Sequence, residues 1–373
     1  MLSDTDAGNV VVGAQAGAQW GYRLLPLLLF LIPMLYMVQE LTVRLGIYTG
    51  RGFGELVRER FGMGWAWTAT IALALLAIVA TGSYRRVERI LVFVGLFELA
   101  FFFVAWSAHP SLAIMSKDVV DLPIANRQFT LLVAAIVGAV FSPWMIFYQQ
   151  SAFADKNLSP GDIKAARWDT AIGAVLTQCL TGAILIAAAA LASRGASPGL
   201  HSVGEISREL STFLGERVGR MVFSFGVLGA SMVAAIVSSL ALTWGVSEVT
   251  GHRRSLEHHP FGAKWFYAIS SLSVIGAAAR VWSASELGWL TIAAQVVNVF
   301  LLPLVIVLLI ALAVKVLPKP LRPHGLYLWS LIGVSSIVIA AGLVGAGLGQ
   351  NLTLKAPPQL ATHLRTAPSA SRR

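Results

Sequence analysis

The sequence predicts an all-α polytopic membrane protein, and three observations support that prediction. Of its 373 residues, 56% are hydrophobic and only 12% are charged, whereas soluble domains carry about a quarter charged residues. Several apolar runs reach the roughly 20 residues that a helix needs to cross a bilayer, and they are continuous rather than alternating, which argues against strands. Most basic residues fall in short loops between these runs, as the positive-inside rule expects of cytoplasmic loops.

The same features exclude several other classes of protein. The net charge of +10 is accounted for by those loops, so the expected partner is the lipid bilayer and not nucleic acid. The single Cys179 lies in an apolar run, which excludes a disulfide framework or a thiolate cluster within one chain. No nucleophile–base pair, phosphate loop or Cys/His ligand spacing is present, so we expect neither an enzyme nor a bound cofactor. We also expect a monomer, and residues 1–9 predict no cleavable signal peptide because they are polar or small.

The elements follow in order along the chain. A run at 10–19 comes first and is too short to span a bilayer alone. The spans predicted after it are 24–45, 65–82, 90–106, 129–153, 169–192, 220–249, 264–282, 287–315 and 326–349. Basic loops are predicted at 46–64, 83–89, 155–168, 252–264 and 315–324. These segments, about ten in all, form one transmembrane domain over residues 1–350, and the Pro-, Ala-, Ser- and Arg-rich residues 351–373 are predicted to be a disordered tail.

The charges around the span at 65–82 conflict with a single crossing. The loops at 46–64 and 83–89 are both basic, so both should lie on the cytoplasmic side. One crossing puts its two ends on opposite sides of the membrane. We therefore expect that about one helix is missing from this part of the chain.

The span at 129–153 contains a break with polar character. Pro143 lies inside it, and it also holds Ser142, Gln149, Gln150 and Ser151. Proline removes a backbone donor and stops a helix, which frees carbonyl groups. Inside a bilayer, freed carbonyls are tolerated only where they face protein or a wet cavity. The sequence therefore predicts a broken helix that forms an ion or solute site.

Other polar residues have two interpretations each. Asp6 and Asn9 flank a turn-like Ala-Gly pair, and they are either an exposed cap or hard oxygen ligands for a divalent cation. Glu40 lies one turn from Arg44, so an i,i+4 ion pair is as well supported as a role in transport.

Gln295 and Asn298 lie three residues apart on one helical face, before Pro303. Amides inside membranes often join helices, so a structural role is at least as well supported as contact with a solute. The pair Ser238 and Ser239 has the same two interpretations.

Several stretches together resemble the Nramp family of divalent-metal transporters. Residues 6–9, DAGN, followed by QAGAQWGY at 15–22, resemble that family's Asp-Pro-Gly-Asn first-helix motif and its sequel. Residues 39–50, QELTVRLGIYTG, resemble its second helix and the loop that follows, and YRRVE at 84–88 resembles the entry to its fifth helix. The resemblance implies a LeuT-like inverted-repeat fold in the cell (inner) membrane, with helices 1 and 6 broken at mid-membrane. Beside that fold, this chain would lack the inner half of helix 1 and about one helix in the helix 3/4 region.

The resemblance also implies a set of metal-binding residues. Asp6 and Asn9 fall on the ligand positions of the first helix, and Ala139 falls where a backbone carbonyl contacts the ion. Gln295 falls at a polar position near that site. Ser142 falls where ordinary members carry methionine, so that a Ser-Pro-Trp triplet replaces Met-Pro-His. The proton-handling histidines of the sixth helix are absent.

The hardness of these ligands suggests the cargo. A thioether favours transition metals, whereas an all-oxygen site loses that discrimination, and Mg²⁺ keeps several waters and needs few direct ligands. With Ser142 in place of methionine, the chain resembles the Nramp-related magnesium transporters, which are described as moving Mg²⁺ and Mn²⁺ without proton coupling. Alternatives are a proton-coupled Mn²⁺/Fe²⁺ transporter and a truncated, non-transporting remnant. An amino-acid carrier of the same fold is a further alternative, against which the Asp6 charge argues.

Overall fold

The computed structural model describes residues 7–65, 96–156, 158–194, 216–251 and 287–353, together with 265, 268–269, 271–272 and 275–276. All regular elements in this described part are helical. The helices are α1 (Ala7–Trp20), α2 (Leu25–Thr49), α3 (Phe53–Phe61), α4 (Ala100–Ser107), α5 (Leu112–Asp118), α6 (Arg127–Val140), α7 (Pro143–Asp155), α8 (Ile163–Ala192), α9 (Glu216–Thr250), α10 (Leu287–Val316) and α11 (Gly325–Thr353), with 3₁₀ turns at Leu96–Leu99, Pro160–Asp162 and Lys319–Leu321.

Six segments of the described part are long and apolar enough to cross a membrane: Leu25–Thr49, Arg127–Asp155, Pro160–Ala192, Arg217–Thr250, Leu290–Val316 and Gly325–Gly347. The prediction of an all-α membrane protein is confirmed. Apart from Trp65, the predicted span at 65–82 and the loop at 83–89 lie outside the described residues. The proposed loss of about one helix there stays a prediction. Most of the predicted span at 264–282 and of the tail at 351–373 also lies outside the described residues.

Three boundaries differ from the predicted ones for local reasons. Helix α2 continues to Thr49, past the predicted end at 45, and stops where Gly50 adopts φ 60°, a left-handed conformation that favours glycine. The predicted loop at 155–168 is wrong in its second half, because Ser159 and Asp162 form a capping box that starts α8 at Ile163. The predicted loop at 46–64 contains the short helix α3.

Small residues let helices α1 and α8 approach closely and run parallel. A Cβ atom added at Gly13 would lie 3.3 Å from the backbone oxygen of Thr181, and one added at Gly17 would lie 2.2 Å from that of Leu185. Such close approach through small residues is the usual way in which membrane helices pack. Helix α1 also packs against α6 and α10, which pack against each other. These three helices therefore converge around the break between α6 and α7.

Several basic residues meet at one end of the bundle. Arg44 donates to the carbonyl of Leu321 at 2.6 Å, and Arg58 donates to the carbonyl of Val249 at 3.2 Å. Arg167, near the start of α8, lies at the same end because it contacts Glu40 at 2.8 Å. Under the positive-inside rule this end faces the cytoplasm.

At the opposite end of the bundle, two aspartates connect neighbouring helices. Arg23 donates to Asp121 at 2.8 Å, and the backbone N–H of Tyr22 donates to Asp118 at 3.0 Å. Burial raises the pKa of the Tyr22 phenol, and the nearby Asp118 carboxylate raises this pKa further. The phenol therefore stays protonated. The hydrogen bonds from Tyr22 and Arg23 to Asp118 and Asp121 hold the turn between α1 and α2 against the end of α5 and the residues that follow it.

Candidate metal site at the broken helix

The break between α6 and α7 forms as the sequence predicts. Helix α6 ends at Val140, and Ser142 caps α7 in an extended conformation with φ −67° and ψ 131°. Pro143 follows as the first residue of α7 and has no N–H group. The carbonyl of Ala139 therefore cannot receive the ordinary helical hydrogen bond from four residues on. This buried carbonyl has only a long contact, of 3.4 Å, with the Ser142 hydroxyl.

A glycine brings helix α10 against the break. A Cβ atom added at Gly138 would lie only 1.8 Å from the backbone oxygen of Gln295, so any larger residue would force α6 and α10 apart. This contact places the side chains of Gln295 and Asn298 beside Ser142. All three side chains are buried, with 6%, 3% and 1% of the residue exposed.

A hydrogen-bond network joins these residues. The Nδ2 atom of Asn298 lies 3.1 Å from the carbonyl oxygen of Gly138, 3.0 Å from Oγ of Ser142 and 2.7 Å from Oε1 of Gln295. Oγ of Ser142 lies 3.1 Å from the same Gly138 oxygen and 3.4 Å from that of Ala139.

Acceptors outnumber the hydrogens that this amide can offer. Nδ2 of Asn298 has two hydrogens and faces three oxygens. Its Oδ1 atom is buried and has no hydrogen-bond partner among the described residues. A buried cluster rich in oxygen lone pairs and poor in hydrogens is suited to a hard cation.

The structure brings together three of the five predicted site residues, namely Ala139, Ser142 and Gln295. Asn9 is buried, with 1% exposed, near the start of α1, the helix that packs against both α6 and α10. Asp6 lies outside the described residues, so its assignment to the site stays a prediction.

Two further polar residues were not in the predicted ligand set. Asn298 joins α10 to α6, as an amide between membrane helices does, and its contacts also place it in the site. The sequence signal that could have placed Asn298 in this cluster was its position three residues after Gln295, on the same helical face. Gln178 of α8 is 2% exposed, and neither of its amide atoms has a hydrogen-bond partner among the described residues. Because Gly13 contacts Thr181 in a parallel helix pair, Asn9 lies level with the turn of α8 that holds Gln178.

The described residues contain no group of three or more His, Cys, Asp and Glu side chains that could hold a metal ion. Among the described residues at the break, the groups beside Ser142 that could contact an ion are amide, hydroxyl and carbonyl oxygens. Further along α7, Thr42 of α2 donates to Gln149 at 2.7 Å, and Gln39 donates to the sulfur of Met145 at 3.2 Å. These contacts connect α2 to α7 through uncharged groups.

Two buried carboxylates are engaged by protein groups. Glu40 accepts from Arg44 at 2.6 Å, which confirms the i,i+4 ion pair, and also from Arg167 and from the Tyr327 hydroxyl at 3.0 Å. Glu248 of α9 accepts from Ser151 of α7 at 2.6 Å and from a backbone N–H of α3 at 2.9 Å. Glu248 was not among the residues predicted from the sequence.

The chain is similar to known membrane transporters. The family model described as "Natural resistance-associated macrophage protein-like", Nramp, matches residues 1–81 and 64–346. The divalent metal cation transporter MntH of Klebsiella pneumoniae strain 342 is 23% identical over 279 residues, which cover 63% of this chain and 67% of that relative. The protein of the same name from Klebsiella pneumoniae subsp. pneumoniae, strain ATCC 700721 / MGH 78578, matches to the same extent.

Solved structures share the fold. Crystal structures of variants of the manganese transporter of Eremococcus coleocola match with a TM-score of 0.71 at 14% identity, covering 99% of this chain and 87% of that protein. Its complex with an aromatic bis-isothiourea substituted compound matches with a TM-score of 0.70 at 15% identity. The LeuT-like fold expected from the sequence is confirmed. Because the Nramp family model matches most of this chain, the chain belongs to the Nramp family and is a multi-pass membrane protein.

Proposed function

We propose that this protein moves divalent cations across the membrane by alternating access, with Mg²⁺ as the main cargo and Mn²⁺ as a second one, without proton coupling. The observation that carries the proposal is the oxygen-rich cluster at the helix break, where Asn298 contacts both Ser142 and Gln295, and Oγ of Ser142 lies 3.4 Å from the carbonyl oxygen of Ala139. Membership of the Nramp family supports the transport of divalent metals, as do relatives named for divalent metal and manganese transport.

Each residue of the proposed site has a role that follows from its chemistry. Asp6 supplies the negative charge, and Asn9 and the Ala139 carbonyl supply neutral oxygens. Ser142 binds the cation directly or through a water molecule. Mg²⁺ holds its water tightly, so a site with one carboxylate and several neutral oxygens suits a partly hydrated ion. No sulfur ligand is among these residues, so the site lacks a group that selects transition metals.

The absence of proton coupling is proposed from the sequence of α7. Between Ser142 and Ala154 the chain has no histidine, aspartate or glutamate, and Trp144 and Gln149 lie at or near the positions of the family's histidines. Glu248, which contacts α7 through Ser151, is held by two donors.

A proton-coupled Mn²⁺/Fe²⁺ transporter is the second candidate. Two observations favour it: the relatives named for manganese transport, and the buried carboxylates Glu40 and Glu248, which are 1% and 2% exposed. Acidification of the vesicle interior during metal uptake would support this candidate and contradict the uncoupled one.

Uptake by proteoliposomes tests the proposal. Purified protein would be reconstituted with a magnesium- or manganese-sensitive dye and a pH dye inside the vesicles. We expect uptake of both cations, no change of internal pH, and loss of uptake in Asp6→Ala. Uptake that Asp6→Ala leaves unchanged would contradict the site assignment. A folded protein that neither transports nor binds Mg²⁺ in calorimetry would instead be a non-transporting remnant.

Ser142→Met should shift the selectivity toward Mn²⁺. The substitution replaces a hydroxyl with a thioether, a softer ligand that favours transition metals. We expect the ratio of Mn²⁺ to Mg²⁺ uptake to rise about tenfold, which corresponds to roughly 1.4 kcal/mol. Ser142→Ala is the control, since it removes the hydroxyl without adding sulfur and should weaken uptake of both cations. An unchanged ratio in Ser142→Met would contradict the role of Ser142.

Asn298→Leu should weaken Mg²⁺ uptake with little change in the fold. The amide of Asn298 contacts both Oγ of Ser142 and the carbonyl of Gly138. Each such bond contributes on the order of 1 kcal/mol, so losing both should raise the half-saturating Mg²⁺ concentration about tenfold or more. Thr243→Val is a matched control, because Thr243 is also buried and its hydroxyl donates to the carbonyl of Ser239 in its own helix. Equal effects of the two substitutions would contradict a role for Asn298 in the site.

A further inference from the structure

Two cavities on the surface of α8 meet end to end. The first, of about 310 Å³, is lined by Tyr36, Lys164, Arg167, Trp168 and Ala171. The second, of about 480 Å³, is lined by Phe102, Trp168, Ala171, Ile172, Val175, Leu176 and Cys179. Because they share Trp168 and Ala171, they form one continuous feature, which we call the α8 groove. One end of the groove is cationic and the other is apolar.

The cationic end has an excess of positive charge. Within the described part of the chain, Glu40 is the one carboxylate in contact with both Arg44 and Arg167, at 2.6 and 2.8 Å. Arg167 uses its Nε atom for that contact, and its Nη atoms have no acceptor among the described residues. Lys164 is exposed and makes no ion pair within the described part of the chain. An anion is therefore the complementary ligand for this end.

The apolar end follows one face of α8. Trp168, Ile172 and Val175 are 71%, 61% and 47% exposed, and their spacing of three and four residues places them in one stripe. The groove runs along α8 from Arg167 to Cys179, which at 1.5 Å per residue is roughly 18 Å. That length is about half of the ~30 Å hydrocarbon core of a bilayer. The groove thus has the depth of one membrane leaflet.

The position of the groove in the membrane matches its charge. Arg167 lies at the basic end of the bundle, beside Glu40 and Arg44, which is the cytoplasmic end under the positive-inside rule. The cytoplasmic leaflet is the one that carries anionic lipids, and basic pockets between membrane helices on that side bind their headgroups. A free anion would fill the cationic end alone and leave the apolar end unexplained.

We propose that the α8 groove binds an anionic phospholipid of the cytoplasmic leaflet. Its phosphate lies between Lys164 and Arg167, and one acyl chain lies along the stripe from Trp168 to Cys179. Because Arg167 also bonds to Glu40 of α2, bound lipid strengthens the contact between α2 and α8. The proposal does not depend on which cation is transported.

The test measures binding of phosphatidylglycerol to the detergent-purified chain by native mass spectrometry and by thermal unfolding. Phosphatidylcholine with the same acyl chains and inorganic phosphate are the comparison ligands. We expect phosphatidylglycerol to bind more tightly than phosphatidylcholine and to raise the unfolding temperature, while phosphate has no effect. Lys164→Gln should weaken phosphatidylglycerol binding about fivefold, because one cation near the membrane surface contributes about 1 kcal/mol to the binding free energy. Lys319→Gln, an exposed lysine at the same end of the bundle, should leave it unchanged.

Two further variants test the apolar end. Val175→Trp fills the groove and should weaken binding of phosphatidylglycerol, whereas Val307→Trp, at a residue of α10 that is 63% exposed, should not. Cys179 is exposed and is the only cysteine of the chain, so its rate of maleimide labelling reports occupancy of the groove. We expect phosphatidylglycerol to slow that labelling, and Lys164→Gln to remove the protection.

Three results would overturn the proposal. The first is equal binding of the two phospholipids, and the second is equal effects of Lys164→Gln and Lys319→Gln. The third is that inorganic phosphate slows maleimide labelling of Cys179 as much as phosphatidylglycerol does. That result would make the cationic end a site for a free anion.

Discussion

Gly138→Val should abolish both the folded state and transport. A Cβ atom at position 138 would lie 1.8 Å from the backbone oxygen of Gln295, and a backbone atom cannot move aside as a side chain can. Overpacking usually costs about 1–3 kcal/mol when side chains can adjust, and here we expect a larger loss. Gly138→Ala should give a milder form of the same defect. The measurements are monodispersity on size-exclusion chromatography, the unfolding temperature in detergent, and Mg²⁺ uptake.

Gly333→Ala is the matched control for this change. Gly333 lies in α11, and a Cβ atom added there has no heavy atom within 4 Å. Since alanine favours a helix over glycine by up to about 1 kcal/mol, this variant should be as stable as the parent or slightly more so. If Gly138→Val remained monodisperse and active, the close packing of α6 against α10 would not be needed to assemble the site.

Glu40→Gln should be the most destabilising conservative substitution among the charged residues described. Glu40 is 1% exposed and is shared by Arg44 and Arg167, and it also accepts from the Tyr327 hydroxyl. Removing its charge leaves two guanidinium groups partly buried without their counterion. Breaking a buried ion pair in this way costs about 3–5 kcal/mol, which denaturant unfolding in detergent would measure.

Glu59→Gln provides the comparison for Glu40→Gln. Glu59 pairs with Arg51, and both side chains are about half exposed, at 48% and 45%. Exposed pairs contribute roughly 0–1 kcal/mol, so this variant should be nearly as stable as the parent. Similar losses in the two variants would show that Glu40 acts as an ordinary surface charge and does not bind α2, α8 and α11 together.

The parts of the site that the sequence predicted depend on local chemistry. Pro143 has no N–H group whatever surrounds it, so the break after Val140 follows from the chain alone. Glu40 and Arg44 are four residues apart, which suffices to predict their pairing on a helix. Gln295 was placed by its likeness to a family position, and the structure brings it to Ser142 through Asn298.

The parts that the sequence did not predict depend on distant contacts. Arg167 and Tyr327 lie 127 and 287 residues from Glu40, and no spacing rule joins them. From the sequence, a structural role for Asn298 was at least as well supported as contact with a solute, because an amide that joins helices and an amide that lines a site look the same in one chain. Gln178 lies in an apolar run, and its burial depends on the packing of α8 against α1, α2 and α4.

The hydrogen-poor amide cluster bears on the kinetics of an alternating-access carrier. The buried Oδ1 atom of Asn298 has no hydrogen-bond partner among the described residues, and three oxygens compete for the two hydrogens of its Nδ2 atom. Burying acceptors without hydrogen bonds costs free energy. The conformational change of the empty carrier should therefore be less favourable than that of the loaded carrier. For the proposed transport cycle we therefore expect the exchange of one cation for another to be faster than the return of the unloaded carrier, so that counterflow outpaces net flux.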